Sequence, residues 1–228
     1  MSDKFQIIAA DPPWSFSDKL KMSDVPRGAA ANYNTMTISQ IKALPVNDIA
    51  DPAGAVLALW VPSSILQEGL DVMKVWGFSH KQTYIWVKTK KIPLSSLLKD
   101  VSKLKLSDFN LKSYKKTLIS LIKGEDLNST LAFGLGRLFR QTHEICLLGI
   151  NNKKIYKHLA NKAQRSVSFS FNLKHSAKPE HLQNSLEIMF PNAHKLEMFA
   201  RREKEGWVCV GNEVCNGEDI TVSLAKLM

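Results

Sequence analysis

Near-continuous apolar runs punctuate this chain. Phe5–Ala10 (FQIIAA), Ala55–Val61 (AVLALWV), Gln82–Val87 (QTYIWV) and Glu144–Ile150 (EICLLGI) are short, rich in branched and aromatic residues, and flanked by polar or turn residues. That pattern predicts strands buried on both faces. Between the second and third runs, Ile65, Leu66, Leu70, Met73 and Trp76 recur at helical spacing. Pro62 stops the preceding strand, Ser63 or Ser64 is placed to cap this helix, and Gly77 to end it. Residues 15–35, rich in Ser, Asp, Gly, Ala and Asn, read as a long loop. Further on, Val167–Phe171 reads as an extended piece. Pro179 suits the first turn of a helix carrying Leu182, Leu186, Met189 and Phe190. Lys195–Phe199 and Trp207–Val210 complete the strands. Apolar strands alternating with helices predict an α/β fold with a doubly wound, mostly parallel sheet.

Composition and charge add a second feature. The 228 residues fit one domain, residues 1–228, with room for an insertion. The formal net charge is +10, and the stretch from Lys88 to Lys123 holds ten lysines against only Asp100 and Asp108. Within it, Leu94, Leu97, Leu98, Val101 and Leu104, then Leu111, Tyr114, Leu118 and Leu121, fall at helical spacing. The reading is a lysine-rich helical insertion over 91–133, with its lysines on outer faces. A local basic patch is the footprint expected for a phosphate-backbone partner, although a solvated helical face has the same composition. No run approaches the roughly 20 apolar residues that cross a bilayer, and the first residues lack a signal-peptide layout. Cys146, Cys209 and Cys215 show neither paired spacing nor zinc-ligand spacing, which points to reduced thiols, a cytoplasmic setting and no metal.

Candidate chemistry concentrates in Asp11-Pro12-Pro13-Trp14, directly after the first strand. Proline has a fixed φ and no N–H, so the backbone here is suited to presenting a carbonyl. With the Asp11 carboxylate beside it, the turn offers two acceptors for the NH2 group of a flat heteroaromatic amine, and Trp14 offers a ring to stack on it. In doubly wound sheets, ligands bind beyond the carboxyl ends of the strands. Asp11 and Glu197 both lie at such ends, so they are expected to converge although 186 residues apart. Glu197 is an acid within an apolar strand, and such a group needs a partner. Trp60, Trp76 and Trp86 fall on apolar elements and read as core. Neither a Gly-x-Gly-x-x-Gly fingerprint, nor a P-loop, nor a nucleophile elbow is present; Gly134-Leu135-Gly136 precedes a strand, the wrong context for a phosphate cradle.

Nine blocks in order resemble the family of the mRNA adenosine-N6 methyltransferase (MT-A, seventy-kilodalton subunit). They are Asp11 to Trp14, Asn32 to Met36, Leu59 to Val61, Trp76 to Phe78, Trp86 to Thr89, His143 to Gly149, His175 to Glu180, Leu196 to Arg201, and Gly211 to Glu213. The resemblance covers residues 5–90 and 134–214 and omits the lysine-rich insertion. It implies a Rossmann-like fold in the permuted order of the beta-class amino-methyltransferases, with S-adenosylmethionine as cofactor and adenine-N6 methylation as activity. By the same resemblance, Asp11 and the Pro12 carbonyl would accept hydrogen bonds from the adenine amino group, with Pro13 and Trp14 completing the catalytic turn. Tyr33 would line the base pocket, and Lys178 would lie near both base and cofactor. Asp11, Glu197, Phe199, Arg201, Asn212 and Glu213 would surround the cofactor.

Compact members of this type point first to DNA as substrate and next to RNA. Pairing as a homodimer or heterodimer is left open, as is a reading of another class: an inactive nucleic-acid-binding partner subunit. The intact Asp-Pro-Pro-Trp turn argues for the enzyme.

Overall fold

The computed structural model describes residues 4–15, 35–90, 131, 132, 134, 138–171, 178–215 and 217–228. The chain divides into two compact units. One comprises Met1–Ile85, Glu144–Ser166 and Glu180–Met228, and the other Trp86–His143 and Val167–Pro179.

The first unit holds the sheet. Its strands are β1 (Ile7–Ala10), β2 (Val56–Val61), β3 (from Ser79), β4 (ending at Ile150), β6 (Lys195–Met198) and β7 (Val208–Val210), in the spatial order β3-β4-β2-β1-β6-β7. β1 pairs in parallel with β2 and β6, and β6 in parallel with β7, while β4 runs antiparallel to β2. This is a Rossmann-like α/β architecture, mostly parallel, with β4 reversed against β2. β1 and β2 are buried along their whole length, as their unbroken apolar runs require of central strands covered on both faces.

Side chains alternate across the sheet. Ile8, Ala10, Leu57, Leu59, Leu196 and Met198 face a core shared with α1 (Ile38–Lys42), α2 (Val46–Ile49), α3 (Leu66–Val75) and α5 (Ile220–Leu227). The opposite parity, including Glu197, faces away from that core. α4 (His181–Met189) holds the buried Gln183, which is hydrogen-bonded to Glu197. Helix α3 packs close on β2: a Cβ on Gly69 would stand 2.6 Å from both methyls of Val61.

Several helix ends differ from expectation. Neither Ser63 nor Ser64 caps α3; they form a 3-10 turn ending at Ile65, and the helix start has no side-chain cap. Helix α1, which no apolar period announces, begins at a Thr37–Gln40 capping box, with Gln40 N–H donating to Thr37 Oγ1 (3.2 Å) and Thr37 N–H donating to Gln40 Oε1 (2.8 Å). Gly77 does end α3, in the left-handed conformation at φ 84°.

In the second unit, β3 runs on to Thr89, and β5 (Val167–Phe171) is its neighbour in the hydrogen-bonding order. The Trp86 indole N–H donates to the Ser170 carbonyl (3.3 Å), and Lys88 Nζ lies 5.2 Å from the centre of the Trp86 ring. The two helices predicted within 91–133 lie outside the described residues, and so does Tyr33. No helix among the described residues is long and apolar enough to cross a membrane.

Candidate active site

The register of the central strands assembles this site. Ala10 of β1 lies opposite Met198 of β6, so Asp11 leaves its strand level with Phe199. The side chains of Asp11 and Glu197 come close enough to influence each other electrostatically. The expected convergence of these two positions therefore follows from four consecutive parallel residue pairs.

The Asp11-Pro-Pro-Trp segment is tied down almost atom by atom. The Trp14 N–H donates to the Pro12 carbonyl at 2.8 Å, a three-residue turn. The Pro13 carbonyl accepts from the Met36 N–H (2.8 Å), and the Ser15 N–H donates to the Met36 carbonyl (3.1 Å). Met36 immediately precedes the capping box of α1, so the helix start holds the strip that clasps the turn. A carbonyl oxygen has two acceptor positions, and at Pro12 the Trp14 N–H uses one of them.

Trp14 has a different job from the one its sequence suggests. It is 3% exposed, belongs to the apolar core, and donates its indole N–H to the Trp60 carbonyl at 2.9 Å. A ring buried to this degree anchors the Asp11–Trp14 turn to β2 and presents no face for stacking a base.

Glu197 is the electrostatic centre on the β6 side. Desolvation by burial pushes its carboxyl above the ordinary value of 4.5, opposed by the Gln183 hydrogen bond and the Arg202 charge; Asp11 adds to the rise and Lys204 opposes it. Gln183 Nε2 donates to Glu197 Oε1 at 3.2 Å, while Gln183 Oε1 is buried without a partner. Gln183 went unnoticed in the sequence. Its signal was a polar residue beside Leu182 and Leu186 on the buried stripe of a helix.

Past Glu197 the chain bends sharply. Phe199 takes φ 61° although it is not glycine, a conformation that costs of order 1–3 kcal/mol and clusters at ligand sites. The Ala200 N–H donates to the Val210 carbonyl (2.9 Å), and a Cβ on Gly211 would stand 2.5 Å from the Ala200 carbonyl oxygen. Only glycine lets these two loop segments meet backbone to backbone. Of the residues expected near a cofactor, Arg201 and Glu213 pair with each other, Nε to Oε1 at 3.7 Å, and Asn212 is exposed beside them. Arg202 and Lys204 instead reach Glu180, and Lys204 also Glu187. Lys178 is half-buried and belongs to the second unit. A cavity of about 340 Å³ lined by Gln6, His158, Phe190 and Asn192 opens at the other end of β1, away from Asp11, and takes no part in this site.

The family model described as MT-A70 matches residues 5–101 and 94–213. This chain belongs to the MT-A70 family. Among curated relatives, the "N(6)-adenosine-methyltransferase MT-A70-like" protein of Arabidopsis thaliana is 24% identical over 213 residues, covering 92% of this chain and 24% of its own length. The human "N(6)-adenosine-methyltransferase catalytic subunit METTL3" is 21% identical, covering 92% of this chain and 28% of its own length. The Arabidopsis "N6-adenosine-methyltransferase non-catalytic subunit MTB" is 33% identical over 89 residues, 39% of this chain and 11% of its own length. The chain thus spans about a quarter of the length of the full-coverage relatives.

Proposed function

We propose that this protein transfers a methyl group from S-adenosylmethionine to the exocyclic N6 amine of adenine in a nucleic acid. The observation that carries the reading is the β1–β6 register, which brings the acceptor pair of Asp11 and Pro12 to the same strand ends as Glu197.

The donor set suits such a cofactor. A carboxylate at the end of a parallel strand can accept two vicinal hydroxyls, as on a ribose. The Gln183 amide oxygen, buried and unpaired beside it, is a ready acceptor for one more donor. Glu197, Gln183, Phe199 and the Arg201–Glu213 pair are the residues that would hold it, with Asn212 beside them. When bound, S-adenosylmethionine supplies an electrophilic methyl on a sulfonium centre.

The remaining chemistry falls to the chain itself. The adenine amine is a poor nucleophile because its lone pair is delocalised into the ring. Asp11 and the second acceptor position of the Pro12 carbonyl would draw its two hydrogens out of the ring plane and leave the lone pair pointing away from them. Fixing two reactants in this way contributes roughly 7–11 kcal/mol towards the barrier. Asp11 interacts more strongly as positive charge develops on the nitrogen, so it favours the transition state over the ground state, and it stands beside the proton that the nitrogen then sheds. Lys178 and Tyr33 remain part of the proposal as base-side residues.

DNA and RNA are both carried as the polymer, and the names of the relatives, which carry adenosine, favour RNA. Tritiated methyl transfer to matched DNA and RNA oligonucleotides, followed by digestion to nucleosides, tests both. Label in N6-methyladenine from either polymer supports the reading, and no label in either overturns it. The match to a relative named as non-catalytic favours one other reading, a silent binding subunit. Calorimetry with S-adenosylmethionine separates the two, since a silent subunit needs no cofactor. The human and the MTB relatives are both named as subunits, and we extend to this chain the expectation of a paired state, which sedimentation would measure.

A further inference from the structure

Strand β5 is built inside out. Ser168 and Ser170 turn inward, their hydroxyls buried without hydrogen-bond partners, while Val167, Phe169 and Phe171 are exposed on the other parity. A strand with one solvated face puts its polar residues outward, and three apolar side chains in alternation facing water mark an interaction surface. Phe169 is 65% exposed. Phe169 is the most exposed of the three, and its ring is the one this face offers. The strand is held in place from behind, by the Trp86 indole on the Ser170 carbonyl.

The charge of this unit indicates what covers the face. Its described ionisable residues are Lys88, Lys90, Arg140, His143 and Lys178, with no carboxylate among them. Over the whole of 86–143 and 167–179 the sequence has 14 Lys and Arg against 4 Asp and Glu, a net +10. The rest of the chain has 17 of each, so the entire formal charge of the protein belongs to this unit. An exposed aromatic ring on an apolar strand face in a cationic unit is what the bases and phosphates of a single strand require, because every unpaired base has a face to stack and a backbone to neutralise.

We infer that the exposed face of β5, centred on Phe169, is a stacking platform for unpaired bases of single-stranded nucleic acid. The inference rests on the proposed nucleic-acid substrate and adds to it the strand state of that substrate and the residues that read it. A paired duplex hides its base faces and gains nothing from these rings.

The test uses the full chain with a fluorescent single-stranded oligonucleotide of about 16 nucleotides and a blunt duplex of the same sequence. Phe169→Ala should weaken single-strand binding by about fivefold to a hundredfold, the range for loss of one stacked base, and leave duplex binding within about twofold. Phe169→Leu should behave like alanine, since it keeps apolar bulk but no π face, whereas Phe169→Trp should retain affinity. The salt dependence of the Phe169→Ala variant should keep the wild-type slope, because no phosphate contact is lost. Unchanged single-strand binding in Phe169→Ala, full affinity in Phe169→Leu, or an equal loss on duplex would each overturn the platform. So would a wild-type dimer that Phe169→Ala converts to monomer, which would make the face a contact between copies. Methyl transfer by the wild type, measured in parallel, keeps the two claims apart. Binding without transfer fails the enzymatic reading alone, and transfer with indifferent Phe169 variants fails the platform alone.

Discussion

Replacing Gln183 by methionine separates folding from cofactor affinity in a way the geometry dictates. Gln183 is 4% exposed, donates to Glu197 at 3.2 Å, and leaves its own amide oxygen buried and unpaired. An unsatisfied buried polar atom costs about 1–3 kcal/mol, while a hydrogen bond to a charged group contributes about 1.5–3 kcal/mol. Methionine has similar length and no polar hydrogen, so it removes both terms together, and they largely cancel. Stability of the cofactor-free protein in urea should therefore change by no more than about 1 kcal/mol. Glu197 responds differently. Burial already holds its carboxyl above 4.5, and loss of the Gln183 hydrogen bond removes one of the influences that lower it. The folded protein thus holds this proton more tightly than the unfolded chain does. In the window between 4.5 and the raised value, this group makes stability decrease as pH rises, and below 4.5 it has no further effect. Cofactor affinity runs the opposite way, because the ionised carboxyl is the better acceptor for ribose hydroxyls. It should be full above the raised value and weaken as pH falls through it. In Gln183→Met the midpoint of that loss should move to higher pH, and the affinity plateau should fall by about tenfold, the equivalent of one hydrogen bond of about 1.4 kcal/mol. Calorimetric titration with S-adenosylmethionine across pH, beside urea unfolding, measures both. A variant with wild-type affinity and midpoint would refute the coupling of Gln183 to Glu197. Loss of affinity accompanied by an equal loss of stability would show that Gln183 acts through folding alone.

Trp14→Phe removes the indole N–H and leaves the buried Trp60 carbonyl without that donor; a loss of about 1–3 kcal/mol in urea unfolding is expected. Stability equal to wild type would contradict the anchoring role. Gly211→Ala forces a Cβ to within 2.5 Å of the Ala200 carbonyl oxygen, so overpacking should cost about 1–3 kcal/mol and weaken cofactor binding in the same calorimetric assay. Unaltered binding there would show that the 199–201 and 211–213 loops do not hold the cofactor.

Continuous apolar runs made the strands legible, because a strand covered on both faces has no polar position to confuse with a helix. The meeting of Asp11 with Glu197 was legible for the same reason: parallel central strands place their carboxyl ends together. Short elements were not. Helices α1 and α2 have only 5 and 4 residues, too few to show a period, and the capping box at Thr37 was their sole local sign. Trp14 suggests a stacking ring in the sequence because an indole suits a base pocket and a core equally well. Its role was decided by the Trp60 carbonyl, 46 residues away, which no local pattern reveals. Gln183 was hidden similarly, since its partner lies on a strand that only the fold brings beside α4. Ser63 and Ser64 looked like caps from composition, but the chain leaving Pro62 forms a 3-10 turn first and starts α3 at a residue without a capping side chain.

In the proposed mechanism, Asp11 and the Pro12 carbonyl hold an adenine amine for methylation. Tritiated methyl transfer from S-adenosylmethionine to single-stranded DNA and RNA, wild type against Asp11→Ala, tests it most directly. Label in N6-methyladenine is expected with the wild type, and a fall of roughly 10²–10³ in rate with the variant while Glu197-dependent cofactor binding persists. Transfer by Asp11→Ala at the wild-type rate would contradict it.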